Sequence, residues 1–238
     1  HKEKTGEVSL WTNSMFGGMP AYLISTLYPN NYIGKLDNVF KLFIPLPAGY
    51  LFLYFIGFFI LLLCLKIDPW LAIIGAVAYG LSSYFLIILE AGHNSKANAL
   101  GYLPALLGGF ILLFRGKYWL GLILVSLFTC MQINCNHFQI TYYGYILIGI
   151  VSLGYIISLF KAKETKTIFK AIAFAILGTF IGILPNAAMI MTTQEYGKYS
   201  TRGKTELTID SDLKSNKNNT TSGLDKNCAT QWSYGIGE

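Results

Sequence analysis

Long apolar runs alternate with short polar breaks along most of the chain. Crossing a bilayer of about 30 Å takes roughly 20 residues of helix, and the runs approach that length repeatedly. The pattern predicts spans over 42–65, 70–89, 99–114, 118–133, 138–160 and 168–191. Pro45 and Pro47 fall in the first turns of the first span, where a missing N–H costs least, and Lys66, Asp68 and Pro69 end it. The third run is short, and it reaches a spanning length only if part of the polar stretch 90–98 is helical at its mouth. Arg115, Gly116 and Lys117 read as a tight turn into the fourth span.

The flanks are different in character. Residues 1–41, punctuated by Gly17, Gly18, Pro20 and Pro29, read as a pre-membrane segment of loop with short helical pieces. Residues 192–238 form a polar segment, and its stretch 208–222 is rich in Asp, Asn, Ser, Thr and Lys, the composition of an irregular surface loop. His1 at the start and an uncapped end at Glu238 give the expectation of a piece of a longer protein. No internal repeat is visible, so an inverted-repeat transporter gains no support. The fold class expected is all-α, a polytopic membrane protein with about six transmembrane helices.

Composition sharpens this picture. The chain of 238 residues is 53% hydrophobic and 13% charged, about half the charged share of soluble domains. Sixteen Tyr, sixteen Phe and four Trp suit aromatic girdles at two membrane interfaces. The net charge of +6 is carried mostly in short loops rather than in an aromatic-interleaved stripe, so no nucleic-acid partner is expected. Cys64, Cys130, Cys135 and Cys228 form no CxxC pair and read as buried thiols. If the loops alternate, Lys66, Arg115, Lys117, Lys161, Lys163 and Lys166 share one side and only Lys96 marks the other short loops. Basic loops stay cytoplasmic, which puts 90–98, 134–139 and both ends of the chain outside.

Two polar clusters on that outer side are candidates for chemistry. In the first, Glu90, His93 and Ala97 are spaced to share one helical face, with Asn94 and Asn98 on a neighbouring one. His93 and Lys96 suit a phosphate or pyrophosphate, and Glu90 suits orienting His93 or acting as a base. The competing reading is a solvated interfacial loop whose charges snorkel. The second cluster is Asn134, Asn136, His137 and Gln139, followed by Tyr142 and Tyr143. Amides and phenols at a membrane mouth suit sugar hydroxyls, whereas an aromatic belt with ordinary helix capping explains them equally. His93 and His137 lack a defined third ligand for zinc, so no metal site is assigned. In the tail, Arg202 follows Glu195, Tyr196 and Tyr199 and suits a bidentate grip on a carboxylate or phosphate, or a staple within the loop. Sequons for N-glycosylation occur in 218–221, where Asn and Thr are dense enough for chance.

With these residues in view, the chain resembles the YfhO-like bacterial multi-pass membrane proteins, the large Bacteroidetes type in particular. The stretches that carry the resemblance are Leu10-Trp-Thr-Asn-Ser-Met-Phe-Gly-Gly-Met-Pro20, Glu90-Ala-Gly-His-Asn-Ser-Lys96 with Pro104, Asn136-His-Phe-Gln139 with Tyr142-Tyr143, and Tyr199-Ser-Thr-Arg-Gly203. The resemblance implies a GT-C-like helical fold in the bacterial inner (cytoplasmic) membrane. It implies a glycosyltransferase that moves a sugar from a polyprenyl-phosphate carrier on the extracytoplasmic face. It also implies an acidic residue in the first extracytoplasmic loop, acting as base or as ligand to a divalent metal. Asp37 lies after the 10–20 motif and close to the first span, so that acid is expected upstream of His1.

The residues then expected to do the work are Glu90 and His93 in catalysis, with Lys96, Asn98, Asn136, His137, Gln139, Tyr142 and Arg202 binding substrate. The partners expected are the bilayer and a polyprenyl-phosphate-linked sugar. The alternatives are a transporter or flippase for a lipid-linked sugar and a non-catalytic membrane scaffold. A transporter needs polar groups through the midplane, and the middles of the spans are largely apolar.

Overall fold

The computed structural model describes residues 6, 10–13, 18–21 and 32–199. Contacts divide the chain into two compact units, Leu27–Asn186 and a second made of His1–Thr26 with Ala187–Glu238. In the second unit, β1 (Trp11–Thr12) pairs antiparallel with β2 (Met19–Pro20), Trp11 opposite Pro20 and Thr12 opposite Met19. Arg202 and the stretch 208–222 lie outside the described residues.

Leu27–Asn186 is an all-helical body. Its elements are α1 (Tyr32–Phe40), α2 (Ala48–Cys64), α3 (Pro69–Gly80), α4 (Ser83–Glu90), α5 (Asn94–Phe114), α6 (Tyr118–Asn134), α7 (Phe138–Lys161) and α8 (Thr165–Ile183), closed by a 3₁₀ turn at Leu184–Asn186. The helix that follows, α9 (Ala187–Gly197), belongs to the other unit.

Successive helices reverse through one recurring device. The residue after the helix adopts a left-handed backbone, and the next N–H reaches back to a carbonyl in the last turn. Ile67 bonds to the Leu62 carbonyl at 3.0 Å past Lys66, Lys117 to Leu112 at 2.9 Å past Gly116, and Glu164 to Leu159 at 2.9 Å past Lys163. At the other end of the bundle, His93 bonds to Ile88 at 3.2 Å past Gly92. Gly92 and Gly116 take this backbone without steric cost, whereas Lys66 and Lys163 adopt it against the usual preference of a side-chain-bearing residue. Helix starts are also locally encoded. The Asp68 carboxylate accepts from the Trp70 N–H at 2.9 Å and Pro69 occupies the first helical position.

α5 is the axis of the body. It packs against α2, α6 and α7, and 72% of its most apolar window is buried, against 11% for α7. Close approach of α2 and α5 depends on glycine, because a methyl group on Gly57 would overlap the Gly101 carbonyl oxygen. Within α5, Pro104 has no N–H to offer the Leu100 carbonyl, and the Tyr79 hydroxyl of α3 donates to that oxygen instead at 3.3 Å.

The outer helices turn apolar side chains outward. Ile150, Leu153 and Phe160 of α7 and Phe169, Ile176 and Phe180 of α8 are all exposed, a surface that water penalises and hydrocarbon accepts. α5, α7 and the stretch Thr165–Gly197 are each long and apolar enough to cross a membrane, and α3 with α4 forms a fourth candidate if the bent pair is one span. α2 and α6 are shorter apolar helices of 17 residues each. Exposed Trp70 and Trp119 stand at one end of the bundle and exposed Tyr142 and Tyr143 at the other, as amphipathic rings do at the two faces of a bilayer.

Several element boundaries differ from the sequence reading. Helix in the first span begins at Ala48, with Pro47 capping it and Pro45 outside, because 41–47 is taken up by turns with left-handed Leu42 and Phe43. The run 70–89 is broken after Gly80, where the chain bends by 46° into α4. Gly80 lies against Phe55 so closely that a side chain would collide, and Ser82 is extended, which interrupts the helical ladder. The polar residues 94–98 do form the first turns of α5, giving it 21 residues.

Candidate functional site

The two polar clusters lie at the same end of the helical body, since α5 starts where the antiparallel α6 ends. The first differs from expectation in its local geometry. Glu90, His93 and Ala97 do not share a helical face: α4 ends at Glu90, left-handed Gly92 reverses the chain, and His93 precedes the new helix. Glu90 is exposed beside Leu86, Ile87 and Ala91 and, among the described residues, forms no hydrogen bond or ion pair, so it does not orient His93. His93 is exposed, and the Lys96 ammonium sits 5.4 Å from the Tyr84 ring centroid. Asn98 carries a buried side-chain oxygen without a hydrogen-bond partner.

The second cluster is organised around His137. Its Nδ1 accepts from the Ile140 N–H at 3.3 Å and so caps α7. An accepting Nδ1 leaves the proton of the neutral ring on Nε2. Burial pushes the His137 pKa below its ordinary value of 6.5, and the charges of Lys96 and His93 push the same way, against a backbone hydrogen bond that favours the charged form. The charges of Lys96 and His93, both from the start of α5, thus act on His137 at the start of α7. Asn136 is exposed in a left-handed turn, and Gln139 donates to the Tyr143 hydroxyl at 3.1 Å one turn along. Tyr142 is 64% exposed, with its ring beside that of Tyr143.

Beneath this rim lies a charged cluster absent from the sequence-based set. Asp37 of α1 pairs with Lys41 at 2.6 Å, and its second oxygen accepts from the Tyr102 hydroxyl of α5 at 2.6 Å. The Lys41 ammonium also lies 4.6 Å from the Tyr50 ring centroid, and the Cys135 thiol feels the fields of both Asp37 and Lys41. The i,i+4 spacing of Asp37 and Lys41 was a visible signal for an ion pair. Nothing local pointed to Tyr102.

Further polar contacts occupy the same end. Thr129 and Tyr145 share a hydrogen bond of 2.9 Å, the Gln132 amide reaches Thr141 at 3.4 Å, and Asn186 donates to the Cys130 carbonyl at 2.9 Å. The Gln132 amide oxygen is buried without a partner. The three described cysteines, Cys64, Cys130 and Cys135, are buried and free. Among the described residues no three His, Cys, Asp or Glu side chains come together to hold a metal ion, so the ligands for the divalent metal that the resemblance allows are not assembled there.

The chain matches no protein-family model, no curated protein and no solved structure.

Proposed function

We propose that the chain is an integral-membrane glycosyltransferase-like protein of about six spans with a GT-C-like arrangement. Its polar end faces the extracytoplasmic side of a bacterial inner membrane and receives a polyprenyl-phosphate-linked sugar. The observation that carries this reading is that the stretches holding His93, Lys96 and His137 lie at one end of the body, the end that also holds the Asp37–Lys41–Tyr102 cluster and is free of the basic loops. The reading also draws on the resemblance to the YfhO-like proteins and on the bias of Lys and Arg to the opposite loops.

In this reading Lys96 contacts the phosphate as a compact cation and His93 donates to it or assists proton transfer. Neutral His137 offers Nε2–H as a further donor, while Gln139 and Tyr142 read sugar hydroxyls. Glu90, exposed at the end of α4, acts as the base in this reading. Asp37 is different: both of its oxygens are engaged, one by Lys41 and one by Tyr102, so it ties α1 to α5. The polyprenyl tail lies along the apolar faces of the outer helices. In the full-length protein, Lys96→Ala and His93→Ala abolish sugar transfer from a polyprenyl-phosphate donor while membrane insertion stays intact. Unchanged transfer in both variants refutes the site.

One observation favours a second reading, a flippase for a lipid-linked sugar. The Gly-interrupted pair α3 and α4, bent by 46°, resembles the discontinuous helices that line transport pathways. Reconstituted vesicles separate the two, since a flippase moves the intact donor across the bilayer without cleaving it.

A further inference from the structure

The opposite end of the body holds a second feature that the proposed chemistry does not use. A cleft of about 660 Å³ opens there between the end of α2, the α5–α6 turn, and the facing ends of α7 and α8. Its lining includes Lys66, Arg115 and Lys117 against a single carboxylate, Glu164. The rest is mostly apolar, with Leu120 and Leu159 among the walls. The left-handed turns at Lys66, Gly116 and Lys163 create this arrangement, because each brings a tight loop to the same rim.

The cations are not equivalent. Arg115 donates to the Cys64 carbonyl at 2.7 Å, which satisfies the C-terminal end of α2 and holds the guanidinium in place. Lys66 and Lys117 are exposed and, among the described residues, form no ion pair. Glu164 accepts from the Thr167 hydroxyl at 3.2 Å rather than from a lysine. The cleft is thus positively charged at its mouth, apolar along its walls, and placed where the exposed Trp119 marks an interface.

We infer that this cleft binds an anionic phospholipid of the adjoining leaflet, its phosphate held by Lys66 and Lys117 beside Arg115 and its acyl chain lying against the leucine walls. A free phosphate uses the same cations but leaves the apolar walls uncovered, and a zwitterionic lipid brings its own ammonium into a site already positive. Basic clefts between helices at a membrane face recognise anionic head groups on this physical basis. The inference does not depend on the reaction proposed for the other end.

The test uses the full chain, delipidated in detergent and titrated by native mass spectrometry with dioleoyl phosphatidylglycerol or dioleoyl phosphatidylethanolamine. The wild type retains phosphatidylglycerol about tenfold or more tightly than phosphatidylethanolamine, and Lys66→Gln with Lys117→Gln removes most of that preference. Lys66→Arg with Lys117→Arg keeps it, as does Lys35→Gln on α1. Added glycerol phosphate leaves the bound lipid in place. Equal retention of the two lipids by the wild type, an undiminished preference in the glutamine variant, or displacement by glycerol phosphate overturns the inference. If the glutamine variant loses helical circular dichroism, the salt dependence of the wild type decides: phosphatidylglycerol binding that does not weaken with sodium chloride overturns it equally.

Discussion

The Tyr79 hydroxyl donates to the Leu100 carbonyl, the same carbonyl that Pro104 leaves without its helical partner. A proline inside α5 is thereby compensated by a side chain from α3, and the two helices are tied where Pro104 leaves α5 a backbone acceptor to spare. Removing the hydroxyl with Tyr79→Phe orphans that oxygen and costs about 1–3 kcal/mol of stability. With Pro104→Ala already in place, the backbone N–H takes over and the same Tyr79→Phe change costs less. Thermal unfolding of the four proteins in detergent measures the coupling, and additive losses contradict the assignment.

The Asp37 cluster makes a different prediction. Tyr102→Phe removes a hydrogen bond to a carboxylate, a loss of about 1.5–3 kcal/mol. Lys41→Met is worse, about 3–5 kcal/mol, because it leaves that largely buried carboxylate without its counter-ion. Combining Lys41→Met with Asp37→Asn recovers part of the loss. A double variant less stable than Lys41→Met alone shows that the pair is not what holds α1 in place.

His137 gives a pH dependence whose sign is fixed by its environment. Its pKa in the folded chain lies below 6.5, so the unfolded chain binds the proton more readily. The stability contributed by the neutral ring is therefore fully present above pH 6.5 and is lost as pH falls through the depressed folded value. Protonation of Nδ1 also ends its acceptance from the Ile140 N–H, so the first turn of α7 frays on the same titration. An imidazole midpoint at or above 6.5 in carbon-labelled histidine spectra contradicts this.

The proposed crossing pattern predicts opposite exposure for the loops at the two ends of the body. In a background with the native cysteines replaced, a cysteine at His93 reacts with an impermeant maleimide from outside intact cells. One at Lys163 reacts only after the membrane is opened. Labelling of both from the same side refutes the arrangement of about six spans.

Much of the helical framework was legible without coordinates. Run length and the residues at the breaks are local properties, and Lys66, Asp68 and Pro69 at one break and Arg115, Gly116 and Lys117 at another announce them within a few residues, whereas the reversal at Gly92 was not foreseen. The polar residues 94–98 proved long enough, with the apolar run behind them, to complete α5. The candidate site was legible only as two stretches rich in chemistry. Helix direction then brings them to one end of the body, which neither stretch announces locally.

The sequence alone was enough to show that most of the chain is apolar helix broken by short polar turns, since hydropathy and turn residues act over a single turn or span. That 70–89 breaks after Gly80, where the Phe55 ring of another helix leaves no room for a side chain, was visible only in the folded chain. The tertiary structure alone decided that Asp37 meets Tyr102 across 65 positions and Tyr79 meets Leu100 across 21. A hydrogen bond forms where packing brings donor and acceptor within about 3 Å, and no periodicity in the chain encodes which distant residues those are.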